Sequence, residues 1–568
     1  MGARAGAATE RRHGLNCDVL VVGAGAAGLT AACVAAAGGL KVQLVEATPW
    51  VGGTTAISGG MVWIPVNHHM AEAGRPDTVQ AARSYLSHTV PPGGDAALLD
   101  TFIEQGDAAL RHIEAVTALR LRPVLRYPDY HPDLPGATEG GRVLEPMPFD
   151  GTLLGPWFAK LRPPLPEFTV FGGMMVHRSD IPHLRGVLRS GTSALRVAHL
   201  LARHGRERWR APRGTTLHLG NALAGWLLHS ALKLGVEIQT DTQVLALRRE
   251  GAGFGGAELS CRGERQALGV RRAVVLASGG ISHDARLRPG FVPAAAGTLS
   301  AAVASGAEQS GAALALALGA RLAGGPRQAF WVPASTFTRR DGSAGVFPHT
   351  VTDRGKPGLI AVDQDGRRFV NEALSYHEFV KAQLQAGPRA LPAWLLCDRT
   401  FLWRYGLGAI QPFALWPMAS DYLKTGHTLA ELAASIGVPA AGLEQTVAAF
   451  NADARRGIDT QFGRGGDIYQ RHLGDAEHRP NPCLAPIEDA PFYAVAVQPA
   501  DLGMAAGLVT DARARVLDAN GQPIRGLYAC GNDMQSPLNG AYPGPGITLG
   551  PALVFGCLAA QHLLPTAA

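Results

Sequence analysis

Residues 17–47, CDVLVVGAGAAGLTAACVAAAGGLKVQLVEA, leave this chain few folds to choose from. Val19, Val21 and Val22 begin an apolar run suited to a strand buried on both faces. Gly23, Gly25 and Gly28 follow in GxGxxG spacing, with Ala26 and Ala27 inside the turn, and the alanine-rich residues 29–37 read as a helix. A second strand, KVQLVEA, ends on Glu46, 18 residues after Gly28. The glycines allow a tight turn and let the backbone approach a pyrophosphate. The helix N-terminus supplies positive potential, and an acid at the end of the second strand accepts from a ribose hydroxyl. The stretch therefore predicts a Rossmann-type dinucleotide site.

At 568 residues the chain is longer than one core normally grows, so two lobes are expected. A net charge of +6 is mild for that length and not gathered into a nucleic-acid motif, so no nucleic-acid partner is expected. The seven cysteines are scattered without a CxxC pair, which reads as reduced thiols in a cytoplasmic protein, with no metal site. The opening MGARAGAATERRHGLN reads as a loose leader arm, because the apolar stretch after it already belongs to the strand and glycine turn. No apolar run reaches the length of a membrane span.

Three further segments say which dinucleotide is bound. ATPWVGGTTAISGGMVWIP places Gly53, Thr54, Thr55, Ser58, Gly59 and Gly60 where a chain must run on past the ribose along a longer cofactor. RRAVVLASGGISHD is a strand closing on Ser278, Gly279 and Gly280, and PIRGLYACGNDM is a strand closing on Gly531, Asn532 and Asp533. The β-segment VEIQTDTQVLALRRE sets Val244 by the adenine. These spacings resemble the glutathione-reductase-like flavoproteins in their fumarate-reductase-type branch. The resemblance implies an α/β fold: a Rossmann-like (glutathione-reductase-type) FAD-binding domain with an inserted α+β catalytic domain. FAD is expected to be non-covalent, since no His or Cys lies within 52–60. The expected division is residues 1–285 for the first part of the FAD-binding domain, 286–490 for the catalytic domain and 491–568 for the second part.

Within the insert, LIAVDQDGRRFVNEALSYHEF reads as a strand, a DG hairpin turn, a second strand and a loop or helix start. TLAELAASIGVPAAGLEQTVAAFNADARRGID reads as two helices broken at Gly-Val-Pro. Residues 151–213 form a variable segment that is apolar and proline-rich at first. The segment then carries eight arginines against one glutamate over 185–213. On a helix Leu188, Leu195, Leu200 and Leu201 are expected to share a face flanked by arginines. That pattern fits a helix lying on an anionic membrane surface or one covering the flavin lobe with its charges solvated.

The C-terminal GLYACGNDMQSPLNGAYPGPGITLGPALVFGCLAA resembles the 3-ketosteroid Δ1-dehydrogenases through YPGPG and its T-L-G-P continuation. GGTTAISGGMVWIP, GRRFVNEALSYHEF, DYHPDLPG, GRVLEPMPFD and PADLG carry the same resemblance through most of the chain. DLGMAAGL, ASGGI and Ile547 depart from the usual forms, and 151–213 is longer than in compact members. The resemblance implies removal of two hydrogens from adjacent carbons of a 3-oxo ring: the C2 hydrogen as a proton, the C1 hydrogen as a hydride to flavin N5. The enolate oxygen that develops at C3 needs preorganised donors. Tyr542, stiffened by Pro543 and Pro545, and the backbone N–H of Gly546 would supply them. The helix beginning near Ile547, Thr548 and Leu549 would point its positive end at the flavin pyrimidine. By the same resemblance Tyr376 is the base for the C2 proton. Tyr130 is the favoured tyrosine to assist it, with Tyr127 as the alternative, and His377 is expected to have a packing or surface role. The expected partners are a 3-ketosteroid and an external acceptor, quinone or dye-like. Alternatives are a 3-ketosteroid Δ4-(5α)-dehydrogenase, a fumarate-reductase-like enzyme and, outside enzymes, an electron-carrying flavoprotein. Ser375, Tyr376 and His377 stand where a fumarate-type enzyme needs its proton-donating arginine.

Overall fold

A computed structural model describes residues 15–187, 190–251, 253–304, 306–307, 309–325, 328–351, 353–413 and 421–565. The expected leader arm lies outside these residues, except for its last two, and so does Leu188. The apolar run at the start forms strand Leu15–Val22, whose Val19, Leu20 and Val21 are fully buried. It sits inside a parallel sheet between Val42–Val45 and Glu264–Leu276. Glu237–Gln239 extends the sheet on one side and Pro523–Ala529 on the other, so residues near both ends of the sequence share it. The glycine turn leads into helix Ala26–Ala37, three residues earlier than expected, because Gly25 already occupies the N-cap. This helix packs on Leu549–Leu563, which packs in turn on Ala96–Val116. The predicted segment around Val244 divides into Glu237–Gln239 and the meander strand Thr242–Glu250, with Asp241 between them at φ 56°.

The second sheet is antiparallel, in the order Ala344–Pro348, Ala329–Thr338, Phe492–Met504, Ala393–Asp398, Leu359–Val362. Its central strand, Phe492–Met504, lies beyond residue 490, so this sheet is completed by chain from both sides of that position. Helices Leu429–Ile436 and Ala440–Arg456 flank the expected break, where Gly437 ends the first helix at φ 74°. Leu432, Leu443, Val447 and Phe450 from these helices form a core with Ile360 and Leu396 of the sheet.

The DG turn after Leu359–Val362 is followed by one bridge, between Val362 and Arg368, where a second strand was expected. Arg368 is drawn inward instead. Its guanidinium meets Glu372 at 2.7 Å and Asp459 at 2.9 Å, while Arg464 reaches Glu372 at 3.1 Å, and all four side chains are buried. Removing one partner of such a network strands buried charge, so Arg368→Met is expected to lower unfolding stability by about 3–5 kcal/mol in urea melts.

Candidate active site

Four phenols gather in one buried cluster. Tyr542 leads the YPGPG turn, and its ring centroid lies 5.1 Å from that of Tyr376, edge to face. Tyr130 lies 5.8 Å from each, stacked on Tyr542 and perpendicular to Tyr376. Tyr469, from the short helix Ile468–Leu473, closes on Tyr130 at 4.7 Å. Phe330 stands perpendicular to Tyr542 at 5.6 Å. Of the two alternatives Tyr130 is the one in contact with Tyr376 and Tyr542, whereas the Tyr127 ring packs on His472 at 4.4 Å. The hydroxyls of Tyr127, Tyr130 and Tyr469 are buried without a hydrogen-bond partner. Orphaned buried hydroxyls ask for a partner from outside the chain or from one another.

The turn that carries Tyr542 is held from several directions. The Tyr85 hydroxyl donates to the Pro543 carbonyl at 2.6 Å, and the Tyr130 N–H donates to the same oxygen at 2.9 Å. Asp129, next to Tyr130, accepts from the Trp63 indole at 2.9 Å and from Arg142 at 2.8 Å. Arg142 also pairs with Asp77 at 2.8 Å, and this ion network is fully buried. Gly546 has φ 99°, and a Cβ there would lie 2.3 Å from the Met61 carbonyl oxygen, so only glycine fits. Its carbonyl accepts from the N–H groups of Trp63 and Gly550. Helix Leu549–Leu563 starts directly afterwards, with Thr548 at its N-cap and Ile547 buried in the turn. The helix thus begins two residues later than Ile547, because residues 545–548 are used to turn the chain.

Burial pushes the Tyr376 and Tyr130 phenols well above their ordinary value. It lifts Tyr542 to about 12, against the pull of Tyr376 and Thr548. Tyr542 is therefore suited to donate a hydrogen bond, while any phenol acting as a base needs help. His377 is lowered by burial to about 4 and stays neutral. Its Nδ1 accepts the Trp331 N–H at 3.2 Å, a packing arrangement.

The dinucleotide end lies at the carboxyl ends of the parallel strands Leu15–Val22 and Val42–Val45. A cleft there is lined by Val22, Gly23, Glu46, Thr242, Val244 and Ser278. Glu46 is buried and accepts from the N–H groups of Ala24 at 3.0 Å and Thr48 at 2.9 Å. A Cβ on Gly28 would sit 2.0 Å from the Gly23 carbonyl oxygen, so the helix can lie this close only without a side chain. Thr55 Oγ1 accepts the Ala26 N–H at 3.1 Å, Thr54 Oγ1 accepts that of Val303 at 3.0 Å, and Ser58 Oγ accepts that of Gly60 at 3.0 Å. A Cβ on Gly53 would lie 3.8 Å from Gly25 Cα, which brings this second cluster in front of the first turn, with Gly59 in open space. Asp533 is buried and receives the N–H of Ser278, the Ser278 hydroxyl at 2.9 Å and the N–H of Gly280 at 3.0 Å. Burial lifts its carboxyl to about 6 against these donors. Gly279 projects freely beside this clamp, while Gly280 abuts Asn532 and Gly531 abuts Ala27.

Comparison with known proteins bears on this arrangement. The FAD binding domain family matches residues 18–549. The chain is 40% identical to the 4-oxocyclohex-2-ene-1-carboxylate 5-dehydrogenase of Sinomonas cyclohexanicum, over 96% of this chain and 93% of that protein. It is 35% identical to the 3-oxosteroid 1-dehydrogenase of Mycobacterium tuberculosis (strain ATCC 25618 / H37Rv), over 96% of this chain and 98% of that one. The crystal structure of the 3-ketosteroid Δ1-dehydrogenase of Sterolibacterium denitrificans, in complex with 1,4-androstadiene-3,17-dione, superposes with a TM-score of 0.89 at 36% identity. That match covers 97% of this chain and 99% of that one. The chain belongs to the 3-oxosteroid 1-dehydrogenase family. As a member of it, the protein is an FAD-dependent oxidoreductase acting on CH–CH bonds.

The residues present fit FAD. The turn of Gly23–Gly28 would take the pyrophosphate at the N-terminus of helix Ala26–Ala37, where the Gly25 N-cap has no side chain and Thr55 occupies the Ala26 N–H. Glu46 would hold the adenosine ribose and Val244 would flank the adenine. The cluster from Gly53 to Gly60, with Ser278–Gly280 and Gly531–Asp533, would follow the remainder of the cofactor. Tyr85, Tyr469, Phe330 and the Asp129–Arg142 pair escaped the reading of the sequence. Tyr85, Tyr469 and Phe330 come from segments remote in sequence without a local motif, whereas Asp129 and Arg142 lie within DYHPDLPG and GRVLEPMPFD, where neither was singled out.

In segment 151–213, helix Gly191–Arg210 turns Leu200 inward, while Leu195 is 75% exposed and Leu201 is partly exposed. The single leucine face expected there does not form, because positions 195 and 200 point to opposite sides of a 3.6-residue helix. Trp209 joins Leu195 outside at 88% exposure. Among the described residues no helix is long and apolar enough to cross a membrane.

Proposed function

We propose that the protein desaturates the C1–C2 bond of 3-ketosteroids, converting 3-oxo-Δ4 to 3-oxo-Δ1,4 steroids. The convergence of Tyr542, Tyr376 and Tyr130 in one buried cluster beside Gly546 is the observation that carries this reading. The Tyr542 hydroxyl and the Gly546 N–H donate to the C3 oxygen, so charge that develops there as the C2 proton leaves meets fixed donors. Tyr376 accepts that proton and Tyr130 shares it. FAD, when bound, supplies the acceptor for the C1 hydride. The aromatic walls exclude water and orient a flat apolar ring system.

The same ketone chemistry on a small ring acid is the second reading, favoured by the identity to the cyclohexene-carboxylate enzyme. A carboxylate substrate needs a cation, and among the described residues Arg178, over the Tyr127 ring, pairs with Glu145 at 2.6 Å, Arg142 pairs with Asp77 and Asp129, and Arg354 is bonded to backbone carbonyls. The steroid is therefore preferred. Side-by-side product analysis with androst-4-ene-3,17-dione and 4-oxocyclohex-2-ene-1-carboxylate, using a dye acceptor, decides. Desaturation of only the acid would remove the steroid assignment. With one dinucleotide fingerprint in the sequence, the oxidant is read as a quinone.

The exposed Trp209 and Leu195, on a helix rich in arginine, support docking of segment 151–213 on an anionic membrane surface. Phosphatidylglycerol vesicles should co-sediment with the protein, and Trp209→Ser with Leu195→Ser should abolish most of that binding. Unchanged sedimentation of the double variant would dismiss the idea.

A further inference from the structure

Tyr376 poses an unsolved electrostatic problem, since a buried phenol packed against the rings of Tyr130 and Tyr542 is a poor base. Burial and the neighbouring oxygen of Tyr542 both favour its neutral form. One fully buried cation lies behind this cluster. Arg354 is 0% exposed. Its Nε donates to the His349 carbonyl at 2.8 Å and its Nη2 to that of Thr350 at 3.0 Å. Its Nη1 donates to the carbonyls of Glu372 at 2.9 Å and Leu374 at 3.1 Å. Those last two oxygens belong to the turn that runs into helix Tyr376–Ala386, whose first residue is Tyr376. The guanidinium also lies 5.1 Å from the ring centroid of Phe379, one turn further along that helix.

The surroundings leave this charge without an acidic partner at ion-pair distance among the described residues. The carboxylate of Asp353 binds His349 Nδ1 at 2.6 Å, the Gly408 N–H and the backbone N–H of Arg354, not its guanidinium. The carboxylate of Glu372 is taken by Arg368 and Arg464. Arg354 is felt by Tyr469 and by the nearby Asp353 carboxylate, and then by Tyr130 and Tyr376. A buried guanidinium bonded to carbonyl dipoles, with no carboxylate at ion-pair distance, is only partly neutralised, and it stays charged at any ordinary pH.

We propose that Arg354 is the positioning residue of the proton-transfer step, gripping the turn that presents Tyr376 and lending positive potential to the phenol cluster. This rests on the assignment of Tyr376 as the base. In the step itself, Tyr376 as phenolate would take the C2 proton, and FAD, when bound, would supply the acceptor for the hydride from C1. Arg354 exchanges no proton and favours the phenolate that precedes transfer. The backbone grip and the field are separable, because lysine keeps the charge but lacks the planar fork.

The test uses the FAD-loaded enzyme with whichever ketone gives turnover. In Arg354→Met, kcat at neutral pH should fall about 100-fold with KM unchanged, in line with losing an effective base. The acidic limb of its kcat profile should move up by about one unit. Arg354→Lys should keep that limb within about half a unit of the parent and still lose about tenfold in kcat. A flavin-replete Arg354→Met with an unmoved limb overturns the proposal. If the methionine variant does not fold, the lysine variant decides: loss of kcat at parental KM supports the proposal, and parental kcat overturns it. Tyr376→Phe separates the two layers. Parental turnover in that variant removes the base assignment itself, whereas its inactivity combined with an unmoved limb in Arg354→Met removes only the role of Arg354.

Discussion

Tyr542→Phe is expected to lower kcat/KM for a 3-oxo substrate by about 100-fold or more, the loss of about 3 kcal/mol that follows removal of one oxyanion donor. The ring of phenylalanine keeps the contacts with Tyr376, Tyr130 and Phe330, so the loss should fall on turnover and leave FAD binding and thermal stability near the parent. The turn around it is pinned by groups that the substitution does not touch, namely the Pro543 carbonyl bonds and the close approach of Gly546 to Met61. Steady-state kinetics with the ketone, alongside the flavin absorbance of the variant, checks this. Turnover equal to the parent would show that residue 542 does not hold the ketone oxygen.

Tyr376→Phe should be the more damaging change in kcat, by about 10²- to 10⁴-fold, because it removes the proton acceptor. Its partner prediction concerns pH. Burial holds the Tyr376 phenol well above its ordinary value, so the phenolate is scarce at neutrality and grows as pH rises. The parent's kcat should therefore climb between about pH 6 and 10, and the climb should vanish from any residual activity of Tyr376→Phe. A flat parental profile across that range would argue against a phenolate base.

The turn at Gly23–Gly28 was legible because its requirement is local, a Cβ on Gly28 lying 2.0 Å from the Gly23 carbonyl oxygen, whereas Gly546 of the YPGPG turn is constrained by the distant Met61 and was read through resemblance. The gathering of Tyr130, Tyr376 and Tyr542 was legible only through resemblance, since nothing in their spacing brings them together. Tyr85 and Tyr469 were missed because each reaches the site from a helix without any signature of its own. The second strand was anticipated from the DG hairpin signal after Leu359–Val362. Burial of the Arg368 guanidinium against Glu372 and Asp459 overrode that local preference. The leucines of helix Gly191–Arg210 misled for the opposite reason, as composition suggested a face that the helical period then split.

The clamp between Asp533 and Ser278 spans 255 positions of sequence. During synthesis, with N-terminal parts emerging first, the glycine turn at 23–28 leaves the ribosome more than 500 residues before its partner at 531–533 is made. If Gly531–Asp533 holds the cofactor, its capture waits until translation is nearly finished, and a nascent chain arrested before Pro523 should remain colourless however well its first strands have formed.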